Sequence, residues 1–274
     1  MEMGLSEAVW ALETGYCLWV GAGLTRQVAA GHTAVPLWSQ LTVELESAAG
    51  IQVEHHIDFP NRLDKCRVLL GDSMFNSFLR ERYYTDLCCA LLSQAAELAD
   101  AEDFLPDNLR ALAALGQLAN PIVSFNIEPV SSLLLARPAG PVRILFQQPL
   151  GKPAYTWREP RGRFQRLVYH PHGLVTASTV MTASEYQANS QTLAFGVAIH
   201  AAFSNTLAIV GMSLDDQYLR RQLDQFRESI GRIYWFNSQF SDELSDLGSR
   251  AGHHDSLLGM ELFLAALEQA ANSF

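Results

Sequence analysis

Polar residues capable of chemistry follow a short apolar run near the middle of the chain. Ile122-Val-Ser-Phe125 is followed by Asn126 and, two residues later, by Glu128. A buried amide needs its hydrogen bonds filled, so Asn126 is suited to ligand hydroxyls, a carboxamide or a water, with a chain turn before Pro129 as the alternative. Glu128 taken alone fits a solvated loop carboxylate. Asn126 is therefore the stronger candidate for a binding or catalytic role.

A pair of histidines follows another apolar run, in the order His170-Pro-His172-Gly. Histidine titrates near neutrality, so His172 is a candidate general base, with a satisfied structural histidine as the alternative. The spacing of His170 and His172 suggests a metal, but no third ligand lies at suitable spacing, and no metal is expected. A second cluster, His253-His254-Asp255, precedes a predicted helix and is interpreted as structural or solvated.

Two glycine-containing turns follow apolar runs directly. Gly21-Ala22-Gly23-Leu24-Thr25 comes after Tyr16–Val20, and Gly211-Met-Ser213 comes after Thr206–Val210. Glycines let the backbone approach a pyrophosphate at a helix N-terminus. The third glycine of the dinucleotide fingerprint is replaced by Arg26, so a plain tight turn is the alternative. Ser213 equally fits an ordinary helix cap.

The elements that must position these residues are short strands alternating with helices. Apolar runs predict strands at 16–20, 122–125, 166–169, 206–210 and 232–236, and strand-like pieces lie at 142–146 within the stretch 131–165, which is rich in Pro, Gly and Arg. Helical patterns cover 5–14, much of 62–118, 182–203 with Ser184 as N-cap, 214–228 and 256–270. Strands that are apolar throughout and alternate with helices predict a parallel sheet covered on both faces.

The predicted fold is therefore an α/β, Rossmann-like parallel sheet with helices on both faces, plus a helical insertion subdomain. We expect a single domain over 1–274, with the helical insertion at 45–118 and a loop or hairpin insertion at 131–165. Parallel sheets bind ligands beyond the carboxyl ends of their strands. The candidate residues should therefore converge at that edge.

Composition excludes several classes of function. The chain has 274 residues and a net charge of -10, and is 49% hydrophobic but only 18% charged. Direct nucleic-acid binding is not expected, because neutralising phosphates needs excess Lys and Arg. The start lacks a basic n-region, and no apolar run reaches the roughly 18 residues that span a bilayer, so a cytoplasmic protein without a membrane segment is expected. The low charge suggests surface covered by partners.

The cysteines argue against a structural zinc site. Cys17, Cys66, Cys88 and Cys89 form no C-x-x-C pair, and their spacing nearly excludes a four-cysteine zinc site. Free thiols are typical of a reducing compartment.

Four segments together resemble the motifs of the sirtuin-like superfamily, in family order. They are Gly21-Ala-Gly-Leu-Thr25 continuing to Pro36-x-Trp38, Ser124-Phe-Asn126-Ile-Glu128, Tyr169-His-Pro-His172-Gly, and Val210-Gly-Met-Ser213-Leu-Asp-Asp216. The resemblance covers about 16–40 and 121–240. Glu128 stands where the family usually has Asp, and the chain cannot build the four-cysteine module of the deacylases. The absence of this module favours the defence-associated branch, whose members resemble NAD glycohydrolases.

The resemblance implies a site for NAD as substrate, without a metal. Asn126 and His172 would be catalytic. The remaining positions implied to contact NAD are Gly21, Ala22, Gly23, Thr25, Pro36, Trp38, Glu128, Gly211, Ser213 and Asn237. Nicotinamide leaves NAD as a neutral base, so no general acid is needed, and the ribose gains oxocarbenium character as in glycoside hydrolysis.

The expected function is an NAD+ glycohydrolase that depletes NAD as the toxic effector of an anti-phage, abortive-infection system. The length of the chain leaves no room for a sensor, so we expect a separately encoded partner, either a HerA-like ATPase or a short Argonaute. We also expect a homo-oligomer. One alternative is a zinc-free NAD-dependent deacylase or ADP-ribosyltransferase. Another is a non-catalytic nucleotide-sensing or scaffold subunit.

Overall fold

The elements of the chain alternate as the sequence predicts. The computed structural model describes residues 4–13, 15–28, 36–52, 57–83, 119–128, 142–146, 154–155, 166–175, 177–189, 206–213, 217–226, 232–237, 249–251 and 258–271. The described helices are α1 (Leu5–Glu13), α2 (Ala22–Val28), α3 (Trp38–Ala49), α4 (Phe59–Tyr83), α5 (Ala183–Asn189), α6 (Gln217–Phe226) and α7 (Leu258–Ala271). The cluster His253-His254-Asp255 and the pair Cys88 and Cys89 lie outside the described residues.

The described strands form one large sheet and one small hairpin. The strands are β1 (Tyr16–Val20), β2 (Ala119–Ser124), β3 (Val142–Phe146), β4 (Ala154–Tyr155), β5 (Arg166–His170), β6 (Gly173–Leu174), β7 (Ser178–Thr179), β8 (Thr206–Val210), β9 (Arg232–Phe236) and β10 (Ser249–Ala251). The large sheet has the order β10-β9-β8-β1-β2-β5-β3-β4, and β6 pairs with β7. All neighbours in the large sheet run parallel except β3 and β4.

The central strand explains why this sheet needs cover on both faces. All five residues of β1 are buried, as the apolar sequence Tyr-Cys-Leu-Trp-Val requires. On one face the core includes Leu12 of α1 and Phe263 of α7, and α1 packs against α7. Phe263 meets Phe236 of β9 with ring centroids 4.8 Å apart. The predicted Rossmann-like α/β class is confirmed.

The order of the strands reverses at β1. From β1 the chain moves through β2 to β5 on one side, and β8, β9 and β10 then build the other side. In open parallel sheets the ligand crevice lies outside the carboxyl ends of the strands at such a reversal. The ends of β1, β2, β5 and β8 are where the sequence placed its candidate residues.

Strand β2 starts earlier than predicted. We expected the strand at 122–125 because Asn120-Pro121 is typical of a break, but β2 begins at Ala119. Its register against β1 shifts by one residue between the pairs Tyr16–Ala119 and Leu18–Ile122. Proline cannot donate to a ladder and is tolerated at such bulges, which explains how Pro121 fits within the strand.

Parts of both predicted insertions lie among the described residues, and the insertions stay predictions. Helix α3 and helix α4 pack together, joined by a buried ion pair between Arg62 and Glu46 at 2.7 Å. Residues 84–118 of the predicted helical insertion lie outside the described residues. Within 131–165, β3 and β4 lie at one edge of the large sheet, where β3 pairs with β5. No helix among the described residues has both the length and the apolar content needed to cross a bilayer.

Candidate active site

A buried polar network joins the ends of β1 and β2. Asn126 Nδ2 donates to Thr25 Oγ1 at 2.9 Å, and Thr25 Oγ1 donates to Glu128 Oε1 at 2.7 Å. All three side chains are buried. Thr25 lies in α2 directly after the first glycine turn, and Asn126 and Glu128 follow β2. The fold thus unites residues about 100 positions apart in sequence.

The network fixes the orientation of the Asn126 amide. Thr25 has one hydroxyl hydrogen and gives it to Glu128, so Thr25 can only accept from Asn126. The NH₂ end of the amide must therefore face Thr25, and Oδ1 must face away. Asn126 is 3% exposed, and its Oδ1 has no hydrogen-bond partner within the described part of the chain. Buried polar atoms are normally paired, so this oxygen is suited to accept from a bound molecule.

The backbone around Asn126 also holds both histidines. His170 Nδ1 lies 3.0 Å from the Asn126 carbonyl oxygen, and His172 Nδ1 lies 3.0 Å from the Phe125 carbonyl oxygen. A carbonyl oxygen only accepts, so each Nδ1 carries the hydrogen and donates it. In the neutral ring Nε2 then carries the lone pair. The end of β5 is therefore tied to the end of β2 through two imidazoles of defined tautomer.

Burial keeps both imidazoles neutral. It lowers the pKa of His172 from 6.5 to about 3, against the opposing hydrogen bond to Phe125. It lowers the pKa of His170 to about 4, against the opposing bond to Asn126. Desolvation penalises the charged form, which is why both values fall. At neutral pH His172 therefore offers a lone pair and holds no positive charge.

Aromatic rings surround His172 on several sides. The Tyr186 ring stacks on it with centroids 4.8 Å apart, while Trp38 and Phe125 meet it edge-on at 5.3 and 5.4 Å. Trp38 begins α3, and Tyr186 lies in α5. Phe125 in turn packs edge-on against Trp19 of β1 at 5.2 Å. These rings account for the desolvation of the imidazole.

The three glycines that end β1 and β8 pack against each other. A Cβ on Gly21 would lie 2.5 Å from the Gly211 carbonyl oxygen, and one on Gly23 would lie 2.8 Å from it. Gly211 has φ +65°, and a Cβ there would fall on the backbone nitrogen of Leu24. Gly21 N donates to Val210 O and Gly23 N to Gly211 O, both at 3.0 Å. The contact between the two turns is sufficient to require glycine, so the predicted phosphate contacts of Gly21, Ala22, Gly23 and Gly211 stay predictions.

The turn after β8 is held from β9. The Met212 carbonyl oxygen accepts from Trp235 Nε1 at 2.8 Å and from Asn237 Nδ2 at 2.9 Å. Ser213 is exposed beside this turn, and Asn237 is partly buried. The predicted contacts of Ser213 and Asn237 with a ligand stay predictions. Pro36 is buried immediately before α3.

The described residues support neither a metal site nor a nucleophilic cysteine. No group of three His, Cys, Asp or Glu side chains there could hold a metal ion. Burial raises the pKa of Cys17 to about 12 and that of Cys66 to about 11, which disfavours the thiolate form of both side chains. A nucleophilic cysteine needs a lowered pKa, so neither thiol is activated.

Two neighbouring residues of α5 escaped the sequence analysis. Tyr186 stacks on the imidazole, and Glu185 accepts from the backbone N–H of Met181 and Thr182 at 2.9 and 3.1 Å. Glu185 N also bonds Thr182 Oγ1 at 3.4 Å, so Thr182 is the N-cap of α5, and the expectation of Ser184 was wrong. The pattern Thr-x-x-Glu is typical of a capping box and could have revealed this helix start. No sequence signal places Tyr186 against His172.

Comparison with known proteins agrees with this architecture. Residues 132–252 match the family model described as the SIR2-like domain. A solved structure described as "Structural Basis for the Mechanism and Regulation of Sir2 Enzymes" aligns with 100% of this chain and 99% of its own, with a TM-score of 0.52 and 12% identity. No curated protein matches the chain. The chain therefore has the fold of a Sir2 enzyme, and residues 132–252 are similar to the SIR2-like domain.

Proposed function

We propose that this sirtuin-like chain is an NAD-utilising enzyme, and specifically a glycohydrolase that converts NAD+ and water to nicotinamide and ADP-ribose. One observation carries the proposal. The buried Asn126 amide presents an Oδ1 that has no hydrogen-bond partner among the described residues, at the strand reversal where α/β sheets bind ligands, and the carbonyl of the preceding Phe125 accepts from the neutral His172. The match to the SIR2-like domain over 132–252 supports the NAD-utilising class.

The reaction requires little acid–base catalysis by the protein. The glycosidic C–N bond breaks, and its electron pair goes to the nicotinamide nitrogen, which leaves as a neutral base. Positive charge develops on the ribose, a water oxygen bonds to the same carbon, and that water loses one proton. The site must orient the sugar and the water, and no residue has to protonate the leaving group.

Asn126 is suited to orient a hydroxyl. Its NH₂ end is held by Thr25, so Oδ1 remains to accept from a ribose hydroxyl or from the attacking water. Thr25 is held in turn by the carboxylate of Glu128. This arrangement fixes the direction of the acceptor before substrate binds, so little reorganisation accompanies the reaction.

His172 is suited to accept a proton or a hydrogen bond from the same hydroxyl groups. Its Nδ1–H is committed to the Phe125 carbonyl, which leaves the lone pair on Nε2. A neutral imidazole beside a developing cation avoids the repulsion that an imidazolium would bring. With a pKa of about 3, its part is that of an orienting acceptor and a weak base.

The remaining predicted positions would hold the rest of the dinucleotide. The glycine turn with Ala22 would lie along the pyrophosphate, and Ser213 and Asn237 would serve the adenosine half. Glu128, Pro36 and Trp38 would line the nicotinamide end, where the Trp38 ring meets His172. The unpartnered Asn126 oxygen fits a polar substrate at this site.

In the cell we propose a defence role. NAD depletion would end a phage infection by ending the metabolism of the host. The enzyme would be held inactive in a homo-oligomer or by a separately encoded partner, such as a HerA-like ATPase or a short Argonaute. The net charge of -10 and the low charged fraction of 18% support an assembly rather than direct nucleic-acid binding.

The test is to identify the products formed from NAD+. The full chain, alone and co-expressed with the product of the neighbouring gene, is incubated with NAD+, with and without an acetylated peptide. We expect equal amounts of nicotinamide and ADP-ribose without peptide. A strict need for peptide would identify a deacylase. ADP-ribose attached to protein would identify an ADP-ribosyltransferase. If both preparations bind NAD+ without turning it over, the proposal of an enzyme is overturned and a nucleotide sensor is favoured.

A further inference from the structure

Three aromatic rings of the described residues contact His172 in two different geometries. Trp38 and Phe125 meet it at interplanar angles of 89° and 72°, while Tyr186 stacks on it with centroids 4.8 Å apart and an interplanar angle of 21°. A stacked ring restricts rotation of the imidazole about its side-chain bonds, whereas edge contacts at near-right angles leave more freedom. Among the described neighbours of His172, Tyr186 is therefore the one best placed to set the plane of the imidazole.

The hydroxyl of Tyr186 contributes less than the ring. It lies 3.4 Å from His172 Nδ1, whereas the Phe125 carbonyl oxygen lies 3.0 Å from the same nitrogen. Nδ1 carries a single hydrogen, and the shorter contact to an acceptor-only oxygen takes most of it. The stack, rather than the hydroxyl, is the feature that keeps Nδ1 aimed at Phe125.

Tyr186 is itself held by the start of its helix. The neighbouring Glu185 completes the capping box with Thr182, and its other carboxylate oxygen pairs with Arg67 of α4. Ser184 adds a bond from its hydroxyl to Asp64 of α4 at 3.2 Å. The short helix α5 is thus pinned to α4 at the two positions that directly precede Tyr186.

From this geometry we propose that Tyr186 is a positioning residue that fixes the plane and tautomer of His172, with the Glu185–Arg67 pair holding Tyr186 in place. The inference rests on the proposed NAD cleavage only for its effect on rate. Loss of the stack would let the imidazole rotate away from Phe125, so that Nε2 no longer carries a fixed lone pair. The expected cost falls on kcat rather than on KM, because binding contacts elsewhere are unchanged.

The first test is spectroscopic and independent of turnover. Imidazole ¹⁵N shifts are recorded on the full chain at pH 7, with His172 assigned by its absence from the His172→Asn variant. We expect the Nδ1–H tautomer in the wild type and in Tyr186→Phe. Tyr186→Leu should give averaged shifts from mixed tautomers. An unchanged tautomer in Tyr186→Leu would overturn the proposal, whether or not the chain cleaves NAD.

The second test is kinetic and uses a matched control. Tyr186→Leu should lower kcat for NAD cleavage at least tenfold, while Tyr186→Phe stays within about threefold of wild type. Gln187→Leu introduces the same side chain at the next, exposed position of α5 and should leave the rate unchanged. Equal losses in Tyr186→Phe and Tyr186→Leu, or in Gln187→Leu and Tyr186→Leu, would contradict a role for the stack.

A double mutant separates positioning from general loss of structure. If Tyr186 acts through His172, adding Tyr186→Leu to His172→Asn should lower the residual rate no further, since coupled residues are not additive. A further tenfold loss in the double variant would show an effect that does not pass through His172, and the proposal would fail.

Discussion

At the scale of single residues, one hydroxyl organises the candidate site. Thr25 Oγ1 accepts from Asn126 and donates to Glu128, so it defines which end of the amide faces outward. Sequence reasoning singled out all three positions from their places after apolar runs. It could not give the direction of the amide, because that depends on a contact between residues 101 positions apart.

Replacing this hydroxyl should destabilise the fold. Thr25→Val keeps the shape but leaves the Asn126 NH₂ without this acceptor and removes one donor to Glu128. We expect a loss of about 2–4 kcal/mol in the free energy of unfolding, measured with urea. Thr25→Ser keeps the hydroxyl and should lose less than about 1 kcal/mol. Equal losses in the two variants would show that the hydrogen bonds do not carry the effect.

At the scale of elements, the two glycine turns pack against each other, and this contact does not depend on a ligand. Gly21 and Gly23 after β1 lie against Gly211 after β8, and the close contact between the two backbones leaves no room for side chains. The sequence predicted turns at both places because glycine follows an apolar run. It could not separate packing from phosphate binding, since both require the same missing Cβ.

Gly211→Ala should therefore damage the fold more than an ordinary glycine substitution. Gly50, at the end of α3, also has a positive φ of 68°, but a Cβ there meets nothing within 4 Å. Gly50→Ala should cost about 1 kcal/mol from backbone strain alone. Gly211→Ala adds a clash with the Leu24 nitrogen, and we expect a loss of more than about 3 kcal/mol or failure to fold. Comparable urea midpoints for the two variants would refute the packing argument.

The strands were more predictable than the helices for a physical reason. β1, β3, β8 and β9 have the predicted bounds because apolar residues dominate each of them; their polar members are Arg143, Thr206 and Arg232. Ser184 was expected to be the N-cap of α5, and only the contact of Glu185 with Thr182 identifies Thr182 as the cap. The stack of Tyr186 on His172 depends on how α5 packs against α4, which periodicity alone does not reveal.

At the scale of the whole molecule, the two buried histidines link stability to pH. Their pKa values of about 4 and 3 lie below the ordinary 6.5, because burial disfavours the charged rings. Between about pH 4 and pH 6.5 the unfolded chain therefore binds more protons than the folded chain. Stability from these groups is complete above pH 6.5 and is lost as the pH falls through that window.

The expected size of this effect is testable. Each histidine should lower the free energy of unfolding by about 1.4 kcal/mol for each pH unit below 6.5. This amounts to about 2 kcal/mol per histidine at pH 5 relative to pH 7. His170→Asn and His172→Asn should each remove about half of the histidine contribution to that difference. The measurement is the free energy of unfolding in urea at both pH values. A pH dependence identical to wild type in both variants would contradict buried, neutral histidines.

The most direct measurement of the central claim is nicotinamide release by Asn126→Ala. The full chain is assayed with NAD+ under the conditions that activate the wild type, and Asn61→Ala, the same change at an exposed asparagine of α4, serves as control. We predict a loss of about 100-fold or more for Asn126→Ala, as for removal of a preorganised catalytic hydrogen-bonding group, and wild-type rates for Asn61→Ala. Full NAD cleavage by a folded Asn126→Ala variant would contradict the account.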